Sequence, residues 1–231
     1  MSLHDSPITE RLAQVESRIQ NAVERSGRER SDITLVAVSK KFSAPHLRAA
    51  YAAGLREFGE NYIQEFADKR PELDDLAGAK YHFIGHLQSN KARLACQLFD
   101  IVQTADSAKL LARLDAAATE LGSHLEVMLE VKLSDEESKS GARPEAIPAL
   151  LEAGSHCSHL IVSGLMTMPP WSADPEHSRP YFQRLAALAR ELGLQKLSMG
   201  MSGDLEVAIE EGATIVRVGT ALFGPRTKPG L

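Results

Sequence analysis

A rhythm constrains this chain more than any single residue does. Helical runs end in glycine and pass at once into short segments rich in β-branched residues. AAG at 52–54 precedes LREF, LAG at 76–78 precedes AKYHFIG, and ELG at 120–122 precedes SHLEVMLEV. EAG at 152–154 precedes SHCSHLIVSG, ELG at 191–193 precedes LQKLSMG, and EEG at 210–212 precedes ATIVRVG. Glycine accepts the left-handed conformation just past a helix end, so each triplet reads as a helix stop. Strands are then expected near 34–38, 55–58, 80–84, 99–104, 125–131, 159–163, 195–199 and 214–218. Strands alternating with helices and no long linker require a parallel sheet. Eight such units in 231 residues favour closure into a barrel near the lower end of that fold's size range. A doubly wound open sheet is the weaker reading, because no GxGxxG follows a strand and no P-loop is present.

Ahead of the first strand, Ile8, Leu12, Val15, Ile19 and Val23 recur at spacings of three and four. Ser6-Pro7 opens this stripe and Gly27 closes it, which predicts an extra amphipathic helix. The expectation is an α/β fold: a single (β/α)8 TIM-type barrel domain over residues 1–231 with an added N-terminal helix. At 43% hydrophobic residues the chain has enough apolar material for one sizeable core. A net charge of −5 gives no general attraction to nucleic acid or anionic lipid, so neither is expected as a partner. The two cysteines, Cys96 and Cys157, form no disulfide framework, which suits a reducing compartment. MSLHDSPITERL lacks the apolar core of a secretory leader, and no apolar run approaches the ~20 residues of a membrane helix. A cytoplasmic monomer is expected.

In such a barrel the polar residues at the carboxyl ends of strands are the functional candidates. Here these are Ser39-Lys40, Glu60-Asn61, Gly85-His86, Thr104, Lys132, Met166, Met201-Ser202 and Gly219-Thr220. A lysine at a strand end is most often a solvated cation. Lys40 can also be a desolvated Schiff-base amine, with a pKa below the ~10.4 reference. Lys41 follows it, and strand alternation is expected to send the two side chains to opposite faces. The last two strand–helix junctions, LSMGMSGD at 197–204 and RVGTALFG at 217–224, place small and hydroxyl residues before helix starts. Either alone reads as a tight turn; together, after the last two strands, they read as a phosphate site. Arg217 sits within TIVRVG, and a barrel guanidinium is costly unless paired. An ion pair with Glu130 and a cofactor contact both remain open for it. His82 and His86 lack the companions of a zinc site and read as lining residues, so no metal is expected. His156, His159 and His177 have no evident partners. SKSG at 138–141 lacks the spacing of a P-loop.

VAVSK at 36–40, FGENY at 58–62, HFIGHLQSNK at 82–91, SKSG at 138–141, GLMTM at 164–168, LSMGMSGD at 197–204 and RVGTALFG at 217–224 occur in that order. With these motifs the chain resembles the pyridoxal phosphate homeostasis protein family, small relatives of the alanine racemase barrel, from about Leu35 to Gly224. The resemblance implies pyridoxal 5'-phosphate as the cofactor, with Lys40 forming its Schiff base. It implies that Ser202, Gly219 and Thr220 bind the phosphate, that Arg217 lies near the pyridine nitrogen, and that Asn61 and Met201 line the pocket. It further implies a non-catalytic carrier or buffer of the cofactor, with apo pyridoxal-phosphate enzymes as recipients. Lys41 stands where the family usually has Thr, and Lys132 where Asn is common. The alternatives are a racemase-like amino-acid enzyme on the same barrel and an aldolase-like Schiff-base enzyme acting on phosphosugars. Racemisation needs acid–base groups on both faces of the α-carbon. In alanine racemases the second is a tyrosine from a β-rich domain of the partner subunit. Here only PRTKPGL follows Gly224, and Tyr51, Tyr62, Tyr81 and Tyr181 are expected in helices or at a strand start, so catalysis is not expected.

Overall fold

Gly122 shows how the rhythm works. It takes φ +63 directly after the helix Ala108–Leu121, and its N–H bonds back to Thr119 and Ala118 carbonyls. Ser123 also bonds to Ala118, and the chain then enters the strand Leu125–Glu130. The computed structural model describes residues 7–134, 136 and 140–225. Its eight parallel strands are β1 Thr34–Val38, β2 Glu57–Glu60, β3 Lys80–Phe83, β4 Ile101–Ala105, β5 Leu125–Glu130, β6 Leu160–Met166, β7 Lys196–Ser198 and β8 Ile215–Val218. Each pairs with the next, and β8 pairs with β1, closing the barrel. The helices are α1 Ile8–Ser26, α2 Ala44–Ala52, α3 Ile63–Lys69, α4 Ala92–Leu98, α5 Ala108–Leu121, α6 Ile147–Ser155, α7 Arg179–Glu191, α8 Leu205–Glu210 and α9 Thr220–Phe223. No helix among the described residues is long and apolar enough to cross a membrane.

Two apolar clusters follow from strand alternation. Outward-facing strand residues such as Phe58, Val102, Leu129, Leu165 and Val216 meet the helices in one large core. Val36, Met128, Met166 and Ile215 form a separate cluster. Their strands include β1 and β5, on opposite sides of the ring, so these side chains meet across the interior. Glu130 and Arg217 stand one step further along β5 and β8, toward the carboxyl ends.

The expected N-terminal helix is α1, entered through Pro7. Val15, Ile19 and Val23 are buried, while Ile8 and Leu12 pack at the edge of the core. This helix lies on α8 and α9. Burying each such side chain contributes about 1.5–3 kcal/mol, which fixes α1 behind the last two strand–helix junctions.

Three sequence expectations are corrected. The strand expected at 55–58 is β2 at Glu57–Glu60, because Leu55 N–H bonds back to Ala50 and so belongs to the helix cap. The strand expected at 159–163 runs to Met166 as β6. Gly154 is not a helix stop. It lies inside α6, and a Cβ there would meet the Val162 Cγ2 at 2.5 Å, so its small size serves close packing of helix on strand. Ser6, Ser138 and Lys139, singled out in the sequence, lie outside the described residues.

Candidate functional site

The lysine expected at the end of β1 stands two residues beyond it. Ser39 extends the ladder through its N–H to Gly59 O at 2.9 Å, and a turn follows, closed by Phe42 N–H to Ser39 O at 3.1 Å. Lys41 occupies this turn with φ +66. For a residue with a Cβ that conformation costs roughly 1–2 kcal/mol. The turn, rather than strand alternation, separates the two lysines. Lys40 lines a cavity at the barrel mouth, whereas Lys41 is exposed, its ammonium 5.8 Å from the Tyr62 ring centre.

A buried lysine that carried no signal in the sequence offsets that strain. Lys69, at the end of α3, places its ammonium 2.7 Å from Glu60 Oε1 and 3.0 Å from Glu65 Oε1. It also donates to the carbonyls of Phe42 at 3.0 Å and Ser39 at 3.3 Å. Glu65 in turn accepts the Lys41 N–H at 2.6 Å, and Glu60 accepts the Ser39 hydroxyl at 2.7 Å. Both ends of the turn presenting Lys40 are therefore anchored to one ammonium. Burial pushes the Glu60 carboxyl above its ordinary value, against the pull of Lys69 and Ser39.

Across the mouth, the loop after β7 is shaped by Asp204. Its carboxylate accepts the Met201 N–H at 2.7 Å and the Ser178 hydroxyl at 2.8 Å. Arg18 of α1 grips the same loop, donating to Ser202 O at 2.9 Å while paired with Glu206 at 2.6 Å. The Ser202 hydroxyl receives two backbone N–H groups from the start of α9, Gly219 at 3.3 Å and Ala221 at 3.4 Å. Amides converging on one oxygen provide the local positive field that favours an anion.

Arg217 is buried and donates to Ser198 Oγ at 2.5 Å and to Thr167 O at 3.0 Å. No ion pair joins it to Glu130 among the described residues, so that reading fails in its direct form. Burial pulls its pKa down to about 10, with Asp204 and then Glu130 pulling back up, and it stays cationic at neutral pH. Glu130 is pushed up to about 7 by burial and by Asp106, and Arg217 only partly offsets this. Its Oε2 is buried without a hydrogen-bond partner.

All seven expected site residues line one cavity of about 390 Å³: Lys40, Asn61, Met201, Ser202, Arg217, Gly219 and Thr220. The Asn61 backbone lies against Gly85, where a Cβ would meet Asn61 O at 2.2 Å, and its side-chain Oδ1 is buried without a partner. Asp204 and Trp171 also line the cavity and were missed. Asp204 closes the MSGD motif but shows its role only through contacts, and Trp171 lies in the irregular chain that follows β6. A second cavity of about 490 Å³ shares Asn61, Met201 and Trp171 and reaches His86, Glu130 and Lys132. His82 lines neither cavity; it is buried in the barrel, bonded to Glu57 and Gln103. His159 and His177 do have partners, the hydroxyls of Thr119 and Ser172. No tyrosine lines either cavity among the described residues.

An amine, a cation, an orphaned amide oxygen and a cluster of hydroxyl groups and backbone N–H donors on one cavity fit a phosphorylated aromatic aldehyde. Residues 11–227 match the family model described as alanine racemase, N-terminal domain. A protein of Pseudomonas aeruginosa named pyridoxal phosphate homeostasis protein is 47% identical over 223 residues, 96% of either chain. A protein of the same name from Aquifex aeolicus is 42% identical, over 94% of this chain and 97% of its own. The structure of PipY of Synechococcus elongatus with PLP bound superposes with a TM-score of 0.83 at 41% identity, over 94% of this chain and all of that one. Alanine racemase of Clostridium difficile shares the fold alone, with a TM-score of 0.72 at 13% identity over 94% of this chain and 56% of its own. By identity and coverage along nearly its whole length, the chain belongs to the pyridoxal phosphate homeostasis protein family.

Proposed function

We propose that this protein binds pyridoxal 5'-phosphate and buffers or delivers it, with Lys40 capturing the aldehyde as a Schiff base. The observation that carries the reading is the gathering of Lys40, Arg217, Ser202, Gly219 and Thr220 on one cavity. Ser202, Gly219 and Thr220 hold the phosphate at the start of α9, beside the Ser202 hydroxyl on which the Gly219 and Ala221 N–H groups converge. Asn61 and Met201 flank the ring. Arg217 lies toward the pyridine nitrogen, where a fixed cation disfavours ring protonation. When bound, the cofactor supplies an aldehyde and an electron sink; beside a cation rather than a carboxylate that sink is weak. This favours storage over turnover. The free thiols of Cys96 and Cys157 suit a reducing cytoplasm, where we place the protein as a monomer serving apo-enzymes.

The test mixes the loaded protein with an apo-enzyme and compares its activation with that by the same concentration of free cofactor. Delivery predicts activation that persists when a scavenger removes free cofactor. Activation that never exceeds the spontaneous release rate would reduce the role to buffering.

A further inference from the structure

Arg217 belongs to a line of buried groups that crosses the barrel. Its Nη1 donates to Ser198 Oγ at 2.5 Å, and that hydroxyl donates to Gln103 Oε1 at 2.6 Å. Gln103 Nε2 lies 2.8 Å from His82 Nδ1, and His82 Nε2 lies 2.6 Å from Glu57 Oε2. Ser198, Gln103, His82 and Arg217 are all buried, while the Glu57 side chain is 23% exposed, near Lys80 at the amino-terminal ends of the strands. We propose that Gln103, which touches neither cavity, is a positioning residue that fixes the Arg217 guanidinium at the cofactor through Ser198.

Hydrogen-bond chemistry gives the line one direction. Burial works against the Glu57 charge, but His82, Lys80 and Lys196 hold its carboxyl below the usual value, so it only accepts. His82 Nε2 therefore carries the proton toward Glu57, and Nδ1 accepts from the Gln103 amide. That leaves Gln103 Oε1 to accept from Ser198, whose oxygen is then free to accept from Arg217. Every donor along the line then points from the pocket toward Glu57. Turning the Gln103 amide over would set an oxygen against the His82 lone pair and an N–H against the Ser198 hydroxyl proton. In a low-dielectric interior an unmatched pair of that kind is expensive, and aligned bonds reinforce one another. Arg217 is thus held by an acceptor whose own orientation is set two residues away. With the line cut, the Ser198 hydroxyl loses its acceptor and turns, and the guanidinium keeps only its bond to Thr167 O and can swing toward Glu130 Oε2.

The inference rests on the cofactor reading for its functional meaning, so the experiment has two arms. In protein without cofactor, 15N NMR follows the Arg217 guanidinium protons. Gln103→Met keeps the volume and removes the amide; it should speed their exchange with water at least about tenfold, while Gln103→Glu, which as the neutral acid donates its O–H to His82 and accepts from Ser198, should not. Unchanged exchange in Gln103→Met overturns the proposal whatever the protein binds. In loaded protein, Gln103→Met should shift the cofactor's visible band and its pH profile and weaken pyridoxal 5'-phosphate roughly fivefold to tenfold. Affinity for inorganic phosphate should stay unchanged, and Gln103→Glu should keep the wild-type band. A general packing defect would instead weaken phosphate as well and leave the band in place, which also overturns the proposal. If Gln103→Met does not fold, Ser198→Ala cuts the same line one link nearer the pocket and is read in the same way. A wild-type protein that gives no band with pyridoxal 5'-phosphate counts against the cofactor reading, while the first arm still decides the role of Gln103.

Discussion

Replacing Glu130 by glutamine removes a buried carboxyl group whose Oε2 has no hydrogen-bond partner. The group ionises near pH 7 in the fold, against a reference of 4.5. Between those values an unfolded chain has released its proton while the folded chain still holds it. The folded state then binds more protons, and stability falls as pH rises from about 4.5 through about 7, then levels off. Each pH unit of that gap corresponds to about 1.4 kcal/mol, so the ionised group costs on the order of 3 kcal/mol above pH 7. A glutamine side chain at this position would resemble the protonated acid in shape and in lacking partners. Glu130→Gln should therefore leave stability nearly unchanged at pH 5 and raise it by about 2–3 kcal/mol at pH 8. Urea denaturation of the cofactor-free protein at pH 5, 6, 7 and 8 measures this directly. A stability difference that does not vary with pH, or a variant less stable than wild type at pH 8, would refute the reasoning.

Other consequences follow from the same geometry. Lys69→Met strands the buried Glu60 carboxylate and should cost about 3–5 kcal/mol in urea denaturation; a loss below about 1 kcal/mol would mean that the turn does not depend on it. Ser202→Ala and Thr220→Val should each weaken pyridoxal 5'-phosphate by roughly 1.5–3 kcal/mol in a binding titration and leave pyridoxal almost unaffected; equal losses for both ligands would remove these residues from the phosphate site. With no tyrosine on the cavity that Lys40 lines among the described residues, the loaded protein incubated with L-alanine in deuterated water should show little α-deuteration and no accumulation of D-alanine. Rapid uptake with D-alanine, both abolished in Lys40→Ala, would make it an enzyme.

The barrel was legible because glycine stops and β-branched runs are local signals. Boundaries failed where neighbouring elements competed for the same residues. Leu55 was absorbed into a helix cap, and Gly154 was kept for its size against Val162 rather than for its backbone freedom. That the seven candidate residues share one cavity was legible because they sit in short motifs at or near strand ends. Their supports were not. Lys69 reaches Ser39 from 30 residues away, and Ser198 meets Gln103 across 95. Nothing in either local sequence distinguishes these residues from ordinary surface lysines or polar strand positions. The Arg217 readings stayed open for the same reason, since its partners Ser198 and Thr167 lie on other strands or their ends. The turn at Lys41 was missed because a lysine gives no warning of a positive φ.

The central claim is that Lys40 is the amine that holds the cofactor. Purified protein loaded with pyridoxal 5'-phosphate, reduced with borohydride and digested, can be mapped by mass spectrometry for the phosphopyridoxyl group. The account predicts one dominant label, on Lys40, and loss of both the label and the visible band in Lys40→Ala. A label found mainly on Lys41, Lys69 or Lys132, or a visible band that survives in Lys40→Ala, would contradict it.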